Sequence, residues 1–160
     1  MARITVKNVD RLAKRFDNIA KMELSDTMNK ATALVHGQAK ALAPVNKGQL
    51  AGSIHMKVAK KNNSVEGRVY TNVEYAPFVE FGTGIKGNGT YPYDVEGLSL
   101  EYKDKGWAYF DEDTGKWIYT KGQEARPYMY PALKENEKTI KKMFRDGVHI
   151  KLKQNSKGGQ

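Results

Sequence analysis

The sequence contains no cysteine, and this absence removes several classes of chemistry at once. Disulfide bonds, thiolate nucleophiles and most structural zinc sites all need cysteine. The absence fits a protein that works in a reducing compartment. Histidine is scarce too: His36, His55 and His149 are scattered, and none has the partner four residues away that a helical metal site would use. We therefore expect neither a metal nor a cofactor.

Long apolar runs are also missing. No run approaches the roughly 18–20 residues that a membrane-spanning helix needs, so we expect no contact with a membrane. The opening residues, MARITVKNVDRL, carry no long apolar segment after their basic residue, which argues against a secretory signal.

Recognisable catalytic motifs are absent as well. The sequence has neither a GxSxG pattern nor a P-loop lysine. The glycine-rich stretch GTGIKGNG (82–89) does not fit the dinucleotide fingerprint and lacks a surrounding βαβ unit, so we interpret it as a flexible loop. The acidic stretch DEDTG (111–115) lacks the spacing of a calcium loop and is interpreted as a turn. The sequence therefore predicts a protein that is not an enzyme.

What the sequence does have is an uneven excess of positive charge. The chain has 160 residues, which suits one domain, and a formal net charge of +9. Lys and Arg exceed Asp and Glu by four in residues 1–43, by zero in 44–133 and by five in 134–160. Basic ends can attract nucleic acid or an acidic protein surface. They can equally be a solvated helix face and a loose tail, and the sequence leaves these alternatives open.

Helical spacing dominates residues 8–43. Two apolar series are out of phase near 21–23, which predicts two helices or one kinked helix. The first series is Val9, Leu12, Phe16 and Ile19, and the second is Leu24, Met28, Ala31, Val35, Ala39 and Leu42. We expect Ser25 to cap the second part, and Pro44 to end it because the residue before a proline avoids helical backbone angles.

Two alternating stretches predict β-hairpins on either side of a region, 82–106, that is mostly loop. In the first hairpin, 54–58 alternates between apolar and polar residues, and a returning strand covers 65–71. The second hairpin is WAYFDEDTGKWIYT (107–120), with its turn at 113–115. Its aromatic side chains are expected to share one face, where such pairs stabilise a hairpin by roughly 0.2–1 kcal/mol each. They are Trp107, Tyr109, Trp117 and Tyr119.

A last helix is predicted over 132–146, with Pro131 in its first turn and an apolar stripe that runs up to Gly147. Residues 151–160 are interpreted as a polar basic tail on a single domain of residues 1–150. Together the elements predict an α+β fold. Its N-terminal and C-terminal helices pack on a small antiparallel β-sheet, with the aromatic hairpin in addition.

The stretch YAPFVEFGTG (75–84) places one carboxylate, Glu80, inside an apolar run. A lone glutamate needs a second acid, a histidine or a metal for acid–base chemistry, and no companion is evident. In a strand, Phe78 and Glu80 would share one face. The alternation therefore predicts a carboxylate on the half-exposed face of an edge element, which suits a subunit contact.

Three segments, taken in order, resemble one known family. They are APVNKGQLAGSI (43–54), VYTNVEYAPFVEFGTG (69–84) and KGQEARPYMYPAL (121–133). The second is similar to the core segment of that family, and the third has Tyr128 where phenylalanine is frequent. The family is that of the neck or tail-completion proteins of long-tailed phages, typified by gene product ten of the lambdoid phage HK ninety-seven. The resemblance covers about residues 9–145.

The resemblance implies a non-enzymatic structural protein of a tailed phage or prophage. It would lie in the virion at the head–tail junction or tail terminus, and in the host cytoplasm during assembly. It would form a ring, with six-fold symmetry expected from the tail. Its partners would be adjacent connector, head-completion, tail-terminator or tail-tube proteins, with transient contact with phage DNA. The family-like positions are Tyr75, Pro77, Glu80, Phe81, Gly82, Gly84, Arg126, Pro127 and Pro131.

We expect the subunit contacts in the neutral middle of the chain. The candidate interface residues are Tyr75, Glu80, Phe81, Trp107, Tyr109, Trp117, Tyr119 and Arg126, and the candidate partner-facing basic residues are Lys138, Lys141 and Lys142. Glu80 would orient the fold or contact another subunit, with Arg126 as a candidate partner. The alternative is a nucleic-acid-binding protein that uses its basic terminal helices. An enzyme that uses Glu80 comes third.

Overall fold

The computed structural model describes residues 24–45, 48–61 and 64–157, except the side chains of 155–157. The helix predicted from the first apolar series lies outside these residues. In chain order, the elements are α1 (Ser25–Leu42), α2 (Gln49–Gly52), β1 (Ile54–Lys61), β2 (Ser64–Thr71), α3 (Ala76–Phe81), α4 (Gly84–Gly87), β3 (Trp107–Asp111), β4 (Lys116–Thr120) and α5 (Met129–Lys157). The fold is α+β, as predicted, with helices at both ends packed with small two-stranded antiparallel sheets.

Helix α1 is built on the second apolar series. Ala31, Val35 and Ala39 recur at helical spacing and are buried on one face. The helix ends at Leu42, two residues before Pro44, as the sequence predicts. It begins at Ser25, and the Leu24 carbonyl accepts the first helical hydrogen bond, so Ser25 is the first helical residue and the prediction that it caps the helix is wrong.

The first predicted hairpin is present, because β1 and β2 form a two-stranded sheet. Both strands extend further toward the turn than predicted, to Lys61 and back from Ser64. Ile54 is buried but Met56 is exposed. The alternation therefore predicts the strand correctly, but not a continuous buried face.

The chain divides into two compact units. Among the described residues, the first takes 24–34, 56–61, 64–68 and 136–157, and the second takes 35–45, 48–55 and 69–135. All three family-like segments fall within the second unit.

In the first unit, two glycines allow close contact with α1. A Cβ at Gly67 on β2 would overlap Thr32 Oγ1 and would lie 2.9 Å from Met28 Sδ. A Cβ at Gly147 on α5 would lie 2.6 Å from Thr27 Oγ1. Cβ atoms do not approach other atoms so closely, so a larger residue at either position would force the neighbouring threonine to shift.

Helix α5 is longer than predicted. It has 29 residues, and Pro131 lies in its first turn as expected. The predicted end at Gly147 is wrong. This glycine lies inside α5, at the position where α5 packs closely against α1. Residues 151–157 of the predicted tail are helical as well. In the described ranges no helix, α5 included, is both long and apolar enough to cross a membrane.

The second predicted hairpin is present, but its aromatic residues do not share one face. The opposed pairs are Trp107–Thr120, Ala108–Tyr119, Tyr109–Ile118, Phe110–Trp117 and Asp111–Lys116. Because opposed residues share a face, Trp107 and Tyr109 lie on one face and Trp117 and Tyr119 on the other. The predicted single aromatic face is wrong. The turn spans four residues, 112–115, and a register change of one residue moves a whole strand's side chains to the other face.

Candidate assembly site

The carboxylate of Glu80 binds the start of α5. Its Oε2 accepts hydrogen bonds from the backbone N–H groups of Tyr128 and Met129, with N···O distances of 2.7 and 2.9 Å. Its Oε1 accepts a third from the N–H of Tyr130 at 3.1 Å. The Glu80 residue is only 5% exposed. The prediction of an outward-pointing carboxylate on an edge strand is therefore wrong.

Local sequence explains why the segment around Glu80 is helical. Pro77 lies in the first turn of α3, where its missing N–H costs nothing. Ala76 and Glu80 are four residues apart, share one face of the helix and are both buried. Phe78 lies away from that face and is 55% exposed. Helical spacing thus turns Glu80 inward and Phe78 outward, although alternation had put them together.

A helix N-terminus suits a buried carboxylate. The first N–H groups of a helix have no acceptor within the helix, and the helix dipole places partial positive charge there. Three charge-assisted hydrogen bonds compensate Glu80 for its loss of water. Arg126, the predicted partner of Glu80, instead donates its backbone N–H to the Val79 carbonyl at 2.8 Å. Glu80 is therefore a residue that positions α5.

The negative charge of Glu80 acts on two nearby tyrosines. Burial, followed by the charge of Glu80, raises the pKa of Tyr128 to about 12. The same two causes, in the same order, raise the pKa of Tyr91 to about 12. Both phenols therefore keep their protons at neutral pH.

A row of four aromatic rings runs from α3 to the start of α5. The ring centres are 5.1 Å apart for Phe81 and Tyr91, 5.6 Å for Tyr91 and Tyr93, and 4.8 Å for Tyr93 and Tyr130. Such pairs contribute about 0.5–1.5 kcal/mol each beyond area burial. Sequence analysis missed this row because YPY (91–93) lies in a stretch without periodicity. Phe81, a candidate interface residue, thus contacts Tyr91 within its own unit.

Backbone hydrogen bonds join the second family-like segment to the third. Thr83 and Gln123 exchange two backbone bonds, of 2.9 and 3.1 Å. The side-chain amide of Gln123 also donates to the Phe78 carbonyl at 2.8 Å. Gly84 lies at this contact with φ of 60°, and a Cβ there would lie 2.7 Å from the Lys121 carbonyl oxygen. The Gly-Thr-Gly sequence was predicted to be a flexible loop, but its glycines allow two chain segments to lie close together.

The first family-like segment contacts the second. Leu50 of α2 is buried at 3% exposure. The hydroxyl groups of Ser53 and Thr71 are hydrogen-bonded at 2.7 Å, and the Tyr75 hydroxyl donates to Gln49 Oε1 at 3.4 Å. The second segment therefore contacts both the first and the third, and all three lie within the second unit.

An open groove of about 1020 Å³ lies where the three segments meet. Four of the candidate interface residues line it: Tyr75, Trp107, Tyr109 and Arg126. Lys103 places its Nζ 5.2 Å from the centre of the Trp107 ring, which is a cation–π distance. Aromatic rings with charged groups at their side are typical of protein contact surfaces.

The other predicted residues lie on other surfaces. Trp117 and Tyr119 are 73% and 66% exposed on the hairpin face opposite Trp107. The three candidate basic residues are all exposed on α5; they are Lys138, Lys141 and Lys142. Lys141 forms an ion pair with Glu137 one turn away. The predicted residues therefore do not form one cluster. They lie at four places: in the groove, on the outer hairpin face, in the interior around Glu80, and on the exposed surface of α5.

The described residues offer little for metal chemistry. Across 24–45, 48–61 and 64–157, no group of three or more His, Asp or Glu side chains is placed to hold a metal ion. His36, on α1, has its Nε2 3.0 Å from the Ile54 carbonyl oxygen, which is a structural contact.

Comparison with known proteins agrees with the sequence resemblance. The family model described as "Bacteriophage HK97-gp10, putative tail-component" matches residues 5–82 of the chain. This is the family that the residues resemble, so the match agrees with that resemblance over just under half of the chain. The matched range includes the first family-like segment and the second as far as Gly82, and it stops before the third. Neither the curated proteins nor the solved structures gave a match.

Proposed function

We propose that this chain, whose residues 5–82 match a family of phage tail components, is a non-enzymatic structural protein of the head–tail junction. It forms part of a ring there and is needed for tail completion and head–tail joining. The observation that carries the proposal is the use of Glu80. The carboxylate of the family-like core binds three backbone N–H groups of α5, and this use of the carboxylate supports a scaffold role for the core.

The surface of the second unit supports an assembly role. Aromatic residues and arginine dominate the energetics of protein interfaces. The groove presents Tyr75 and Tyr109, which are 38% and 46% exposed, together with Arg126. A neighbouring connector or tail protein that fills this groove would bury these groups.

Genetic complementation tests the proposal. A phage lacking this gene is supplied with the wild-type protein or with the variant Tyr75→Ser/Arg126→Glu. We expect the groove variant to fold but to leave heads and tails unjoined, with infectious yield lowered by at least about tenfold, the effect of about 1.4 kcal/mol of lost contact. The matched control is Tyr70→Ser on β2, because Tyr70 is 39% exposed and does not line the groove.

Electron microscopy of the lysates separates the outcomes. Separate filled heads and tails with the groove variant, but not with the control, support a joining role. Joined particles in normal number without any copy of this protein would contradict it.

A second candidate function has one specific observation in its favour. Basic or titratable side chains recur on one exposed face of α5, at helical spacing; they are Lys138, Lys142, Arg145 and His149. Such a row fits the phosphate backbone of DNA, whose binding weakens steeply as salt rises.

The DNA alternative is tested by measuring duplex binding at low and high salt. The variants are Lys138→Gln/Lys142→Gln and, as a control with the same charge change on α1, Lys30→Gln/Lys40→Gln. Loss of a strongly salt-dependent affinity in the first variant alone would favour DNA binding. Equal affinity in all three proteins would identify the basic face as merely solvated.

A further inference from the structure

The outer face of the β3–β4 hairpin is an exposed apolar surface. Four side chains form it, in two opposed pairs: Ala108 with Tyr119, and Phe110 with Trp117. All four are exposed, and the three rings are 50% (Phe110), 73% (Trp117) and 66% (Tyr119) accessible. Phe110 and Trp117 contact each other edge to face, with ring centres 5.8 Å apart. Exposed contiguous aromatic surface of this kind marks an interaction site.

The charges along the same hairpin are separated into two ends. The turn end carries three acids and one base, Asp111, Glu112, Asp113 and Lys116, for a net charge of −2. The base end carries two lysines and one acid, Lys105, Lys121 and Asp104, for a net charge of +1, because Lys103 lies over the Trp107 ring on the opposite face. The aromatic face lies between these two ends. The hairpin is therefore complementary to an inverted copy of itself.

We propose that the outer hairpin face binds the same face of a second copy of this chain, in an antiparallel arrangement with two-fold symmetry. The aromatic rings of the two copies pack against each other. The negatively charged turn end of each hairpin lies against the positively charged base end of the other. A two-fold contact of this kind uses one surface twice and so needs no second patch.

The size of this face predicts a weak dimer. From the exposed fractions, the three rings offer roughly 300–450 Å² per copy, against about 800 Å² per partner in a standard interface. The dissociation constant is therefore expected at roughly 10 µM or above, and it should rise with salt. Such a dimer would be a form of the free protein.

Sedimentation of the full chain over a concentration series tests whether the aromatic rings of the outer hairpin face hold the dimer together. We expect a concentration-dependent dimer for the wild type and a monomer for Trp117→Ser/Tyr119→Ser. The matched control is Phe78→Ser, because Phe78 is 55% exposed in the same unit but lies on α3. A monomeric wild type, or loss of the dimer in the control alone, would overturn the proposal.

Charge reversal tests the orientation. One variant, Glu112→Lys/Asp113→Lys, reverses the charge of the turn end. The other, Lys105→Glu/Lys121→Glu, reverses the charge of the base end. Each alone should bind itself at least about tenfold more weakly than wild type, since like charges then oppose each other. A mixture of the two should form heterodimers, and the chain carrying all four changes should dimerise again. Failure of both the mixture and the fourfold variant would refute the antiparallel arrangement.

This inference stands apart from the proposed head–tail role. A chain that is monomeric at every concentration but still joins heads to tails would refute the dimer alone. A dimer that forms as described in a protein dispensable for head–tail joining would refute the junction role alone.

Discussion

Glu80 and Tyr128 are 48 residues apart in the chain, and the Oε2 of Glu80 accepts the backbone N–H of Tyr128 at 2.7 Å. The bond links the second family-like segment to the third. Around it, Tyr128 and Ala132 are 1% and 0% exposed, so the start of α5 belongs to the core of the second unit. A charged side chain can occupy this apolar core because a helix start supplies N–H donors that would otherwise have no acceptor.

The first prediction concerns the charge of Glu80. The variant Glu80→Gln keeps one acceptor oxygen but loses the charge and turns an amide N–H₂ toward N–H donors. We expect the free energy of unfolding to fall by about 2 kcal/mol, which leaves the protein folded. Assembly into phage particles should weaken with it, because the start of α5 is held less firmly. Urea denaturation measures the first effect and complementation the second.

The matched control for Glu80 is Glu74→Gln. Glu74 is exposed in the turn before α3, so its change should alter stability by less than about 0.5 kcal/mol. Equal losses in both variants would show that the three N–H contacts do not stabilise the fold.

Much of the fold follows from patterns that are local in sequence. Helix α1 was predictable because Ala31, Val35 and Ala39 repeat at helical spacing and Pro44 stops the helix. Both hairpins were predictable because alternation and turn residues are properties of short stretches.

The site depends on information that short stretches do not contain. Six residues of α3 are too few to distinguish helical spacing from alternation, so Phe78 and Glu80 were given one face. The partners of Glu80 lie 48 to 50 residues away and are backbone groups, which carry no sequence signal. The aromatic faces of the second hairpin depend on its register, and one residue in the turn decides whether Trp117 lies with Trp107 or opposite it.

The second prediction concerns stability at high pH. The raised pKa of Tyr128, about 12, means that the folded protein holds this proton more tightly than the unfolded chain, where tyrosine ionises near 10. Its contribution is therefore complete below about pH 10 and is lost as the pH rises toward about 12. Because Tyr91 behaves in the same way, the free energy of unfolding should fall steeply over this range.

In the variant Tyr128→Phe, the free energy of unfolding should fall by up to about 2 kcal/mol less over this pH range, because phenylalanine has no hydroxyl proton to lose. Tyr119→Phe is the control, since Tyr119 is 66% exposed and both variants share every lysine that titrates in the same range. Chemical denaturation between about pH 9 and about pH 12 measures the difference. Parallel pH profiles for the two variants would contradict the assignment to Tyr128.

The third prediction concerns the contact between β2 and α1. A methyl group at Gly67 would overlap Thr32 Oγ1, and that hydroxyl is held by a 2.7 Å hydrogen bond to the Met28 carbonyl. Thr32 is also buried, at 5% exposure, so it has little room to move. We therefore expect Gly67→Ala to lower the free energy of unfolding by about 1–3 kcal/mol.

Two further variants decide whether that loss comes from the contact with Thr32. Adding Thr32→Ala to Gly67→Ala removes the overlapping hydroxyl, so the double variant should be more stable than the sum of the two single losses by about 1 kcal/mol. Gly37→Ala, on α1, is the control because a methyl group there meets nothing within 4 Å. It should stabilise the helix by roughly 0.5–1 kcal/mol. Strictly additive losses at positions 67 and 32 would mean that α1 does not rest on β2 through this glycine.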